Sequence, residues 1–221
     1  AFPVDVNTNK ATYEIQFGNI EREHTENTSW DVARFETCAH KWADISDNGY
    51  GMALVNDCKY GYSVADDSTI QLSLLRSGNS SSEEINDQGE HIMSYSIIPH
   101  SGSYIDGGVV KKAYAFNNPL IAREINNKSG VLPQNFSLVQ TECDNIVIDT
   151  VKKSENNDNI IFRLYDSENM KKKVTLKFGA DIKHLYICDM LENIISEVEV
   201  KDNMAVIDVK NFEIVTLMAK L

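Results

Sequence analysis

Apolar positions along this chain recur mostly at every second residue. Ile70, Leu72 and Leu74 alternate with Gln71 and Ser73, and Arg76 falls in the same phase. Tyr50, Met52 and Leu54 alternate with Gly51 and Ala53. Later, Ile160, Phe162 and Leu164 share one face, as do Ala205, Ile207 and Val209, and the chain closes with Val215, Leu217, Ala219 and Leu221. Side chains of a strand point to opposite faces in turn, so a period of two predicts strands with one face in a core. Asn, Asp, Gly and Ser clusters separate these runs. The pattern predicts an all-β fold of antiparallel sandwich type.

One segment departs from this period. Val109 to Phe116 spaces its apolar residues three and four apart, with Asn117-Asn118-Pro119 as a stop, which predicts a single short helix. Polar, turn-rich sequence from 126 to 136 marks a boundary between a sandwich over residues 1–130 and a smaller one over 137–221. The stretch Ser77 to Gln88 has almost nothing to bury and is expected to be mobile or docked on a neighbour.

Arg34 to Asp44 reads as one strand. Its faces would separate Phe35, Thr37, Ala39, Lys41 and Ala43 from Arg34, Glu36, Cys38, His40, Trp42 and Asp44. If Trp42 and Cys38 enter the core, then Glu36, His40 and Asp44 enter with them, which is costly unless they pair. An internal network, a polar surface buried against another domain, or an active site would each satisfy them.

Composition narrows the function classes. The 221 residues are 42% hydrophobic, enough for a packed core, and carry a net charge of −12. That charge opposes binding to nucleic acid or to an anionic membrane surface, and a neutral sugar is compatible with it. No apolar run approaches the ~20 residues a membrane helix needs. The start, Ala1-Phe2-Pro3-Val4-Asp5, lacks the pattern of a secretory signal and suits a processed or trimmed chain. The four cysteines, Cys38, Cys58, Cys143 and Cys188, form no C-x-x-C pair and read as reduced core residues of a cytoplasmic protein. The N-x-[ST] sequons at Asn27, Asn79, Asn127 and Asn135 then carry no meaning.

Catalytic patterns are sparse. The five histidines, His24, His40, His91, His100 and His184, form neither H-x-x-x-H nor H-E-x-x-H, so no metal and no cofactor is expected in this chain. No G-x-S-x-G occurs, and no cysteine has a neighbouring arrangement that would lower its pKa. Glycoside hydrolysis needs two carboxylates about 5–10 Å apart, a criterion that selects nothing among 33 acidic residues.

Several collinear blocks resemble one family. They include Asn27-Thr28-Ser29-Trp30-Asp31, His40-Lys41-Trp42-Ala43-Asp44 and Asn56-Asp57-Cys58-Lys59-Tyr60-Gly61-Tyr62. Leu72-Ser73-Leu74-Leu75-Arg76, Asp87-Gln88-Gly89-Glu90-His91, Tyr95 and Pro99-His100 follow in order, and the end offers Phe162-Arg163-Leu164-Tyr165 and Asn211 to Leu217. The set resembles the carboxyl-terminal β region of glycoside hydrolase family 38 α-mannosidases, most of all their cytosolic, vacuolar and bacterial branch. Ser80-Ser81-Ser82 departs from the Pro-rich segment expected after Arg76.

The resemblance implies a catalytic α/β domain and a helical bundle upstream in the same polypeptide. Zinc and an aspartate nucleophile would reside there, and a mannose-containing glycan would be the substrate. On that reading this chain is non-catalytic and braces the catalytic domain. Arg76, Asp87 and His91 are its expected substrate-proximal residues. His40, Trp42, Asp44, Asn56, Asp57 and Tyr60 are expected at the catalytic-domain interface. The alternatives are a carbohydrate-binding module, whose sign would be an exposed platform built from Trp30, Trp42, Tyr60 or Tyr62, and an oligomerisation domain.

Overall fold

The computed structural model describes residues 1–76, 89–126 and 129–221. The chain divides into two units, Ala1–Leu120 and Ile121–Leu221. Each is a pair of packed antiparallel sheets, and among the described residues no sheet mixes strands of both.

The first unit runs β1 (Phe2–Pro3), β2 (Lys10–Ile15), β3 (Gly18–Glu23), α1 (Ser29–Ala33), β4 (Thr37–Cys38), β5 (Trp42–Ser46), β6 (Tyr50–Asn56), β7 (Gly61–Val64), β8 (Thr69–Leu72), β9 (Tyr95–Ser101) and α2 (Val109–Asn117). One sheet has the order β3-β2-β5-β6-β9 and the other β1-β8-β7-β4. Between them lie Ala11, Tyr13, Ala43, Ile45, Met52 and Leu54 of the larger sheet and Tyr62 and Ile70 of the smaller. The opposite face of the larger sheet is covered by α2 through Val109, Val110 and Ala113. α2 occupies the segment that the three-and-four spacing predicts.

The core-facing side of the larger sheet extends past its cover. Directly opposed residues of an antiparallel pair share a face. Ile97 opposes Leu54 and Pro99 opposes Met52, so the Tyr95-Ile97-Pro99 side of β9 continues the core surface. All three are nevertheless exposed.

Three expectations change here. The stretch Arg34 to Asp44 is not one strand. It leaves α1, pairs briefly as β4 with β7 in one sheet, then crosses to the other sheet as β5. At the crossing, the His40 N–H donates to the Glu14 carbonyl at 3.2 Å and the Lys41 N–H to the Glu14 carboxylate at 2.8 Å. The backbone there is satisfied outside any ladder, so the alternation changes phase. The second change is α1, a helix that the alternation hides; Thr28 and Asp31 cap each other across its first turn. The third is that β8 stops at Leu72, leaving Leu74 exposed. The segment Ser77 to Gln88 lies outside the described residues.

The second unit runs β10 (Val139–Thr141), β11 (Ile146–Lys153), β12 (Ile160–Asp166), β13 (Lys172–Phe178), β14 (His184–Cys188), β15 (Ile194–Val198), β16 (Val200–Lys201), β17 (Met204–Val209) and β18 (Ile214–Lys220). Its sheets have the orders β10-β13-β17-β16 and β11-β12-β18-β14-β15. Phe162, Leu164, Leu176, Leu185, Ile207 and Leu217 fill the space between them. β18 sits in the middle of its sheet, bonded to β12 and β14. On that sheet's outer face, Ile161, Cys188 and Met218 form a smaller buried cluster.

The cysteines divide. Cys188 is buried and Cys143 half-buried, but Cys38 and Cys58 are exposed, against the expectation that all four are core residues. Cys38 lies on the short edge strand β4.

Candidate functional site

The residues expected at an interface cluster around one rim of the first unit, where β5 begins, β6 ends and β7 and β9 begin. Asn56 organises it. Its amide donates to the His40 carbonyl at 3.0 Å and to the Tyr62 hydroxyl, while its side-chain oxygen accepts from the Cys58 N–H at 2.9 Å and from the Lys59 N–H. Its backbone carbonyl accepts from Asn117 of α2 at 3.1 Å. With all these bonds made, the turn from Asp57 to Tyr60 is fixed, and the Tyr60 ring stands 59% exposed. The half-buried His40 ring meets it edge-on at 5.8 Å.

Charge is neutralised beneath this turn. The Glu14 carboxylate is buried and accepts from the Lys41 ammonium at 3.1 Å, with the His40 Nδ1 3.7 Å away. Lys41 also lies over the Tyr114 ring, 4.8 Å from its centroid. Asp57 accepts from the Ser94 N–H at 3.0 Å, which ties the approach to β9 onto the turn. That bond first, and an interaction with the Cys58 side chain next, hold the Asp57 carboxyl below its ordinary range. The same carboxylate pushes the Cys58 thiol up, so Cys58 is exposed without being activated.

Three of the six expected interface residues are not surface groups. Trp42, Asp44 and Asn56 are buried within the unit. Trp42 stacks on Tyr104 at 5.1 Å. Asp44 accepts hydrogen bonds from Ser46 at 2.9 Å and meets His100 at 2.7 Å. Burial pushes the Asp44 carboxyl up, opposed by the His100 and Ser46 hydrogen bonds. These side chains position the rim and cannot meet a partner across it. His40, Asp57 and Tyr60 remain at the surface.

Glu36, His40 and Asp44 do not form the shared network that a single strand would have required. Each has its own partner: Glu36 the Arg76 guanidinium and the Ser73 hydroxyl, His40 Glu14, and Asp44 His100. The Arg76 Nη1 lies 3.3 Å from Glu36, and the Arg76 side chain is 76% exposed. The Glu36 carboxylate occupies the space a Cβ at position 61 would need, so a side chain there would have to displace it. His91 is exposed in the irregular segment before β9, and Asp87 lies outside the described residues.

A cleft of about 490 Å³ opens elsewhere on the same unit, between the β3–α1 connection and β7–β8. Arg22, His24, Glu26 and Phe35 are among its walls. Alternation does not reveal it, because its lining combines residues of β3, β7 and β8 with the β3–α1 connection and a residue of the short helix. The capping pair Thr28 and Asp31 is the signal in the sequence that fixes its outer wall.

Among the described residues, no group of three or more His, Cys, Asp or Glu is placed to hold a metal ion. The described rim offers donors and aromatic faces but not the donor set zinc needs.

Comparison with known proteins agrees with this architecture. The model of the glycosyl hydrolases family 38 C-terminal domain matches residues 1–82, and that of the family 38 C-terminal β-sandwich domain matches residues 145–217. Alpha-mannosidase 2C1 of Homo sapiens is 36% identical over all of this chain, which covers 21% of that protein. Alpha-mannosidase G of Dictyostelium discoideum is 44% identical over 73% of the chain, which covers 15% of it. A crystal structure of an alpha-mannosidase from Enterococcus faecalis shares the fold, with a TM-score of 0.81 and 19% identity over 99% of this chain and 25% of that one. The chain thus spans about a fifth of the length of its curated relatives. It belongs to glycoside hydrolase family 38, of which it is the carboxyl-terminal β-sandwich region.

Proposed function

We propose that this chain is the non-catalytic β region of an α-mannosidase, and that it braces the catalytic domain that hydrolyses α-mannosidic bonds. The observation that carries this reading is the bare side of β9. Tyr95, Ile97 and Pro99 continue a core-facing sheet surface into solvent, and a sandwich face of that kind is normally covered. Ile92, just before β9, is likewise exposed. On this reading the catalytic domain covers that strip and holds the zinc, while the rim of His40, Asp57 and Tyr60 meets it or borders the sugar site together with Arg76. Four free thiols support a reducing, cytoplasmic location.

Producing this chain and the catalytic part of the polypeptide as separate pieces tests the bracing. Association that raises turnover of an aryl α-mannoside, and that Ile97→Glu abolishes, supports the reading. Failure to associate overturns it.

A carbohydrate-binding module is the second reading, favoured by Trp30 at 79% exposure and by Tyr60. Trp42 and Tyr62 take no part in such a platform, since both are buried. Affinity of the chain for α-mannosides with no association with the catalytic part would select this reading.

A further inference from the structure

None of the residues assigned above to bracing lines the cleft beside α1, which has the size of a ligand site. At about 490 Å³ it falls within the range of small-molecule pockets. Its lining decides the ligand class. Glu21, Glu23, Glu26 and Asp31 stand against an anion, Arg22 and Arg34 against a cation, and the polar walls against a lipid. What fits is a neutral molecule with many hydroxyls, which can donate to carboxylates and accept from a guanidinium.

The donors are already held in place. Arg22 donates to the Cys38 carbonyl at 3.0 Å and lies over the Tyr13 ring, 5.3 Å from its centroid. Thr28 and Arg34 anchor Asp31, and their hydrogen bonds keep its carboxyl below the ordinary range. Rigid donors and acceptors reduce the ordering that a weakly held ligand would otherwise require. Phe35, also in the lining, is 62% exposed and offers an apolar face of the kind sugar C–H groups stack on.

One side chain in the wall is unsatisfied. Both ring nitrogens of His24 are shielded from water and have no hydrogen-bond partner among the described residues. Its backbone is fixed by the Asn9 carbonyl at 3.0 Å. An imidazole always carries a proton to donate or a lone pair to fill, so a small rotation toward a ligand hydroxyl would satisfy it.

We infer that this cleft binds a neutral saccharide, with Glu23 and Glu26 as hydroxyl acceptors, Arg22 as a donor and Phe35 as the stacking face. The inference does not rest on the bracing role, since binding is read on this chain alone.

An isotope-labelled sample of the chain, titrated with α-linked mannotriose and followed by the shifts of its backbone amides, tests it. The expected result is saturable movement of amides at 22–26, 31–37 and 62–65, with the second unit unmoved. Affinity should fall about tenfold in Glu23→Gln/Glu26→Gln and in Phe35→Ala, as loss of charge-assisted bonds or of a stacking face implies. Intermolecular transfer from sugar protons to the Phe35 ring reads the same contact without any substitution. No saturable shift, shifts centred on Tyr60 instead, or equal displacement by a polyamine would each overturn it.

Discussion

The His100 side chain reaches across β6 to bring its Nε2 to 2.7 Å from Asp44 Oδ2, with both groups buried. His100 opposes Gly51 and Gly51 opposes Ser46, so the ring must pass over position 51. A Cβ there would lie 2.4 Å from the ring, and one at Gly107 2.5 Å from it on the other side. Two glycines thus leave the slot that the ring occupies.

Gly51→Ala should therefore expel the ring and destabilise the first unit by about 1–3 kcal/mol, the usual cost of overpacking. Asp44→Ala should cost more, about 3–5 kcal/mol, because it strands a buried partner. Asp44→Asn should be milder. Burial raises the Asp44 pKa, so this group favours the fold below its ordinary pKa of 3.8 and loses that contribution as pH rises. The Asn variant should gain on the parent as pH rises from there. Urea melts of the three variants across pH check all of this.

Glu192 gives the opposite sign. It adopts a left-handed φ of 69° and accepts from Ser154 at 2.7 Å, with the Lys152 ammonium at 2.8 Å. Lys152 first, and Ser154 next, hold its carboxyl down at about 2 against an ordinary 4.5. Its contribution is present above 4.5 and lost as pH falls toward 2. Glu192→Gln should flatten the acid limb of the stability curve over that interval. Unchanged acid unfolding would show that the pair is too solvated to matter.

Arg76 should contribute little to stability in this chain. Its ion pair with Glu36 is exposed, and such pairs are worth about 0–1 kcal/mol. Arg76→Ala in the longer polypeptide separates two roles. A lower turnover of an aryl α-mannoside at unchanged melting temperature places Arg76 at the sugar, while normal kinetics leave it an anchor for Glu36.

Cys58 should react slowly with iodoacetamide despite its exposure, because Asp57 disfavours the thiolate. Asp57→Asn should speed the reaction, and Cys188 should react only after unfolding. Alkylation rates followed by mass spectrometry decide both points. A fast Cys58 in the parent would contradict the geometry.

The sequence displays the fold where one face of a strand is buried. Phe162 and Leu164 fill the second core and Leu54 the first, as alternation predicts. It misleads where the chain changes sheets. From Thr37 to Trp42 the partners switch from β7 to β6 and β2, and no local pattern records the switch. The rim was partly legible, because His40, Asp57 and Tyr60 belong to blocks with a family resemblance. The burial of Trp42 and Asp44 was not, since it depends on Tyr104 and His100 arriving from distant segments. The cleft stayed hidden for the same reason, since Arg22 and Gln71, far apart in sequence, both line it.

The position of β18 sets an order on biosynthesis. It is paired on both sides, with β12 and with β14, and supplies Val215, Leu217 and Ala219 to the core. Until residues 214–220 have left the ribosome, β12 and β14 have no common neighbour, and the core face of their sheet is split by a gap one strand wide. The first unit, whose described strands all precede residue 102, can close while the second is still being made. Burial of the core between the two sheets must wait, with the apolar faces open to chaperones, until β18 is threaded between β12 and β14.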